Sequence, residues 1–290
     1  MSGAAPLRCI ELHDATPPRS IREAPDGTRF AAACFPAAEV RSALADLARE
    51  RRFALQLSFG GLALLRDERI AARVESLALG GAELDDLPLP PRLRALRLSG
   101  GGGSLRALLS LPLAILAIDR GAFDTAALVA HPTLATLSLA NLPAEAVTVG
   151  PHLRALRTLG VPLRTLERFR TGPALERLEC SRCDALESIE ALSALPRLRE
   201  LALEGCWRLD LQTTIAFLRT LPLNALRIDI GGRRKNVEVE KRLQLAPPTP
   251  FPTPEAEIAS RKVEARRNSM PPFEVPRKEA GSDRSGESIR

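Results

Sequence analysis

The chain of 290 residues has no tyrosine, a single tryptophan and only 3% aromatic residues. That scarcity excludes a core built on packed rings, so leucine and alanine must fill the interior. It also removes the stacking platforms on which proteins hold single-stranded nucleic acid. Lysine is almost missing as well, confined to positions 235, 241, 262 and 278. Arginine therefore carries the positive charge, and the excess of leucine, alanine and arginine reads as the coding bias of a GC-rich, bacterial genome. A formal net charge of +6 is modest for this length, and the arginines are mixed with carboxylates, so no basic stripe marks a nucleic-acid partner. No run approaches the roughly 18 apolar residues of a membrane helix. Residues 1–20 lack the apolar stretch of a secretion signal and bring acidic residues early. The expectation is a cytoplasmic monomer with five reduced thiols and no membrane contact. An effector exported without a cleaved signal is the alternative.

Chemistry-bearing motifs are equally sparse. The glycine run Gly100–Gly103 has no G-x-x-x-x-G-K-[S/T] spacing behind it, so it reads as a flexible bend and not as a phosphate loop. His13 lies in the loose N-terminal stretch, while His131 and His152 stand beside Pro132 and Pro151 in equivalent turns. Cys180-x-x-Cys183 is half of a zinc or redox motif, without a second pair or a histidine near it in sequence. No catalytic residue, metal ligand or cofactor loop is assigned, and the chain is read as non-enzymatic. An enzyme with an unrecognised site remains the third-ranked reading.

What is abundant is a ladder. Leu175, Leu178, Cys180, Cys183 and Leu186 are answered by Leu198, Leu201, Leu203, Cys206 and Leu209. The central leucine of this phrase recurs at Leu55, Leu77, Leu96, Leu116, Leu137, Leu156, Leu178, Leu201 and Leu226, spaced 19 to 25 residues apart. Three residues before most of them stands another apolar side chain: Val74, Leu93, Leu113, Leu134, Leu153, Leu175, Leu198 and Leu223. Two residues after come Leu57, Leu79, Leu98, Ile118, Leu139, Cys180, Leu203 and Ile228, while Thr158 breaks the series and marks the unit around Leu156 as irregular. Alternation along a short strand turns the central leucine and the residue two later to one side. Such a unit cannot bury its apolar side alone, so neighbours must cover one another.

The phrase L-x-x-L-x-[L/C]-x-x-C-x-x-L resembles that of leucine-rich repeat proteins, over roughly residues 52–230. The resemblance implies an α/β solenoid, a horseshoe with a parallel concave β-sheet and short helical or 3₁₀ turns on the convex side. It places Cys183 and Cys206 in the buried turn position, and it implies that the usual work is binding another protein. Some leucine-rich bacterial effectors are similar but add a ubiquitin-ligase domain with a catalytic cysteine, and the segment following the repeats here has no cysteine. The expected organisation is a poorly ordered segment over 1–35, a capping helix over 36–52 and about nine repeats over 53–230. A C-terminal cap over 231–245, read as a hairpin from the alternation of Val237 and Val239, and a disordered proline-rich tail over 246–290 complete it.

If the sheet lines the concave face, the residues flanking each central leucine point away from the core. The candidate face comprises Arg97, Ile115, Asp119, Thr136, Ser138, Arg157, Arg177, Glu179, Glu200, Glu204, Arg227 and Asp229. Its early half is small and nearly neutral; its later half is charged. One reading is a docking surface for an unidentified protein or peptide, since arginine favours binding hot spots. The other is a solvated face whose charges pair across neighbouring strands.

Overall fold

In the computed structural model, residues 8–13, 22–23, 29–33, 53–57, 64–85, 87–143, 147, 149–243, 246–248 and 251 are described. The expected capping helix over 36–52 and all of 252–290 lie outside the described residues. The fold is α/β, with a large and mostly parallel sheet and few helices.

Strand residues come from the leucine ladder. The sheet contains β1 (Arg8–His13), β2 (Arg22–Glu23), β3 (Arg29–Ala33), β4 (Phe53–Leu57), β5 (Val74–Gly80) and β6 (Ala95–Ser99). A separate strand, β7 (Gly102–Ser104), precedes β8 (Ile115–Asp119) and pairs with β9 (Ala122–Asp124). Then follow β10 (Thr136–Ala140), β11 (Ala155–Leu159), β12 (Arg177–Ser181), β13 (Glu200–Glu204) and β14 (Ala225–Ile228). Spatial order is β14-β13-β12-β11-β10-β8-β6-β5-β4-β1-β3-β2, all parallel except β2 against β3. The nine central leucines stand in one lateral row, Leu55 opposite Leu77 and so on to Leu201 opposite Leu226. Each is buried, and so are Leu79, Leu98, Ile118, Leu139, Cys180, Leu203 and Ile228 two residues later. Burying one leucine side chain stabilises by roughly 1.5–3 kcal/mol, so the row is the chief cohesive element of the sheet.

Thr158 does not disturb this pattern. It takes the place of the leucine opposite Leu139 and Cys180, in register and wholly buried. Its hydroxyl meets no oxygen or nitrogen partner, and only the thiol of Cys180 lies beside it.

Every strand from β5 to β13 in the main sheet ends in the same turn. The next residue is left-handed: Gly81, Gly100, Arg120, Asn141, Gly160, Arg182 and Gly205 all have φ between 54° and 72°. Returning segments are short. Thr125–Ala130, Leu105–Ser110, Glu167–Thr171 and Glu190–Ala194 are 3₁₀ turns, where the spacing left little room for longer helices. Helix α1 (Glu68–Ala71) is a single turn, and α2 (Leu211–Leu218) occupies the longer interval before β14, capped by the Asp210 carboxylate that accepts from Thr213 N at 2.9 Å.

The structure differs from the sequence reading in three places. Segment 1–35, expected to be poorly ordered, contributes strands β1, β2 and β3. The glycine run is not a loose bend: Gly102–Ser104 pairs with β9, and a Cβ at Gly101 would sit 2.1 Å from the carbonyl oxygen of Ala82, so glycine is required by close approach. The expected hairpin over 231–245 is instead α3 (Arg233–Leu243). Helical winding buries Val239 and leaves Val237 exposed, and the arginine, lysine and glutamate residues around them favour a helix. Asn236 anchors its start, donating from Nδ2 to Asp229 Oδ1 at 2.8 Å and accepting at Oδ1 from Ile230 N at 3.1 Å. The edge of β14 is covered by the chain beyond that helix, where Ala246 pairs in parallel with Ala225 and accepts from Leu226 N at 2.8 Å.

Candidate functional site

The outward residues fall into rows because the strands are in register. One row runs Arg157, Glu179, Ala202, Arg227 across β11 to β14, and the next runs Ala155, Arg177, Glu200, Ala225. Opposite charges are therefore neighbours. Arg177 Nη1 lies 3.5 Å from Glu200 Oε2, and Arg227 Nη1 reaches diagonally to Glu204 Oε1 at 3.0 Å. Arg157 Nε stands 3.0 Å from Glu179 Oε1, an ion-pair distance, although its N–H does not point along the contact. Glu204 also accepts from Ser181 Oγ at 3.2 Å. The pairing of charges across strands is thus present, as the second sequence reading expected.

The same arginines carry something else. The ring of Phe251 lies with its centroid 5.2 Å from Arg177 Cζ and 6.0 Å from Arg157 Cζ. A ring's negative face attracts a cation within about 6 Å. Both partners are screened from water: Phe251 is 8% exposed, and the Arg177 side chain 11%. Burial pulls the Arg177 pKa below its usual value; Glu200 and then Glu179 oppose that shift, while Arg227 and Arg157 add to it. Glu179, outward on the sheet, is only 6% exposed. Phe251, Arg177 and Glu179 form a desolvated centre, the partly exposed Arg157, Glu200, Glu204 and Arg227 surround it, and the arginine and glutamate charges balance.

Of the twelve candidate residues, six gather here: Arg157, Arg177, Glu179, Glu200, Glu204 and Arg227. Arg97, Ile115, Thr136 and Ser138 lie on the outward side of β6, β8 and β10; Ile115 and Thr136 are buried between neighbours, and Ser138 stands opposite Arg157 at the border of this patch. Asp119 closes β8 and accepts from Asn141 Nδ2 at 2.8 Å, with Arg120 Nη2 at 3.4 Å. Asp229 directly follows β14 with its backbone N–H still donating to Leu203 O of β13 at 2.7 Å, while its carboxylate accepts from Gly231 N at 3.1 Å and from Asn236. Sequence reasoning missed Phe251, because the tail's composition reads as unstructured as a whole. A lone phenylalanine between Pro250 and Pro252 was the available signal.

Other chemistry-bearing groups lie within the fold. Cys180, Cys183 and Cys206 are free, buried thiols inside the ladder. Cys183 is the one whose thiolate is favoured, its pKa drawn to about 5 by hydrogen bonds from Cys180 and Cys206 against the opposing effect of burial. Cys180 and Cys206 are pushed up by the same contacts and by burial. Among the described residues no cluster of histidine, cysteine and carboxylate has the arrangement of a metal site. His131 is buried, its Nε2 3.0 Å from Leu108 O and its Nδ1 accepting from Leu134 N at 3.1 Å and Thr133 N at 3.3 Å. That fixes the neutral Nε2–H tautomer. A crevice of about 10 Å³ between His131 and His152 has room for one water, not a substrate. No described helix is long and apolar enough to cross a membrane. Compared with models of known families and with curated proteins, the chain matches none.

Proposed function

We propose that the chain is a leucine-rich repeat solenoid and that the outward face of β11–β14 binds a protein or peptide, without catalysis. The solenoid reading is supported by the lateral row of nine leucines and by the left-handed residue after each strand, at intervals matching the ladder. The binding reading rests on one observation: this face already holds a residue from a distant part of the chain, Phe251, over Arg157 and Arg177. A face that buries one side chain on paired arginines has the desolvated centre that interfaces favour. Neighbouring glutamates balance the charge, so a partner is registered by shape and by a few polar contacts.

The test is affinity capture from native lysate with three full-length forms: wild type, Phe251→Ala, and Phe251→Ala carrying Arg157→Met and Arg177→Met. Methionine keeps the apolar stem without placing a new carboxylate beside Glu179 or Glu200, as reversal to glutamate would. A partner enriched by Phe251→Ala and lost with the two methionines is the expected result. Partners indifferent to both arginines would move recognition elsewhere on the molecule.

A further inference from the structure

Phe251 belongs to a segment whose two ends are both placed. Ala246 pairs beyond β14, and five residues later Phe251 sits over β11 and β12. Pro248 between them is buried. The backbone donors and acceptors of a sheet lie in its plane and are taken by neighbouring strands. A polypeptide lying on the face cannot use them, so every N–H it brings is hard to satisfy. Residues 246–254, APPTPFPTP, suit such a ligand: proline has no N–H, and from 247 to 254 only Thr249, Phe251 and Thr253 carry one. Prolines also favour an extended form, lowering the entropy lost on docking. The arginines suit the ring. Their carboxylate partners come from the sheet itself, Glu179 and Glu200, which leaves both guanidinium groups charge-paired beneath the ring. The sequence presents a second phenylalanine in similar company, Pro271-Pro272-Phe273.

Building on the binding face proposed above, we infer that Arg157 and Arg177 form a recognition site for a phenylalanine flanked by prolines, occupied in the resting chain by Phe251. The partner is a protein that displays such a proline–phenylalanine segment. It competes with a tethered ligand, whose effective concentration is on the order of millimolar for a short link. The tail is therefore an internal competitor that sets the threshold for binding in trans.

Fluorescence anisotropy with the labelled peptide APPTPFPTPEA, residues 246–256, tests this on the full-length protein. Phe251→Ala is expected to bind the peptide at least tenfold more tightly than wild type. Binding should vanish when the peptide's phenylalanine is replaced by alanine, and should fall at least tenfold when Arg157→Met and Arg177→Met are added. Equal affinity for wild type and Phe251→Ala, retention by the methionine variant, or no binding to Phe251→Ala would each overturn the inference. Should Phe251→Ala fold poorly by circular dichroism, 4-fluorophenylalanine placed at position 251 replaces it. Excess peptide must then move that fluorine resonance to its solvent-exposed position, and an unmoved resonance rejects the competition. If the peptide fails while arginine-dependent capture persists, only the proline–phenylalanine specificity is lost and the binding face stands.

Discussion

At the scale of single residues, two of the buried polar groups, Thr158 and His131, have different accounts. Thr158 occupies a leucine position with its hydroxyl beside a thiol, a weak partner, and no oxygen or nitrogen. An unsatisfied buried hydroxyl costs roughly 1–3 kcal/mol. Thr158→Val keeps the branched shape, so it should stabilise the fold by about 1 kcal/mol, or roughly 2–4 °C in melting temperature at this size. A lower melting temperature would mean that the hydroxyl is satisfied. His131 is satisfied only while neutral, because its Nδ1 accepts two backbone N–H groups. Desolvation lowers its pKa from the usual 6.5, opposed by the Leu108 carbonyl. The unfolded chain then binds more protons, so stability contributed by the neutral ring is complete above 6.5 and declines as pH falls below that value, levelling off past the folded pKa. Urea midpoints at pH 7.5, 6.5 and 5.5 should show that decline, and His131→Gln should flatten it.

At the scale of elements, the strands were legible and their ends were not. The leucine ladder names every strand from β4 to β14 of the main sheet because one apolar period forces one register. Thr158 was read as an irregularity, yet the backbone remains regular: seven flanking positions outvote one side chain. Residues 233–243 went the other way, since Val237 and Val239 alternate over too few residues to separate strand from helix, and the buried face of α3 decides. Asp229, counted from Leu226, lies one residue past β14 with its backbone still bonded to β13, and its carboxylate is taken up by the turn that follows. The turns follow a rule that the sequence hides behind mixed residue types, four glycines with Arg120, Asn141 and Arg182. Left-handed backbone strains a residue with a Cβ by roughly 1–2 kcal/mol, while glycine's freedom in the unfolded chain offsets roughly 0.5–1. Arg182→Gly should therefore gain about 0.5 kcal/mol, and Gly205→Ala should lose about 1 kcal/mol. Denaturant titration of the pair checks both signs; the same sign for both would reject the turn rule.

At the scale of the whole molecule, the two ends of the chain determine how the sheet is closed. β1 and β3 extend the sheet beyond β4 in an order that departs from chain order, so no period along the sequence announces them. The other edge is β14, whose outer groups pair with Ala246. An open edge is a template for association. Removing residues 246–290 should increase self-association in sedimentation velocity, while Phe251→Ala, which keeps the edge covered, should leave it as in wild type. Equal behaviour of the two would assign the edge no such role. The lateral leucine row has a consequence for the gene as well. Excising residues 117–137 joins Leu116 to Ser138 and still spells an unbroken strand, Ile115-Leu116-Ser138-Leu139-Ala140. A deletion in the gene that removes this one interval therefore keeps the lateral row in register, as a staircase loses a tread, and the charged patch on β11–β14 is carried along intact.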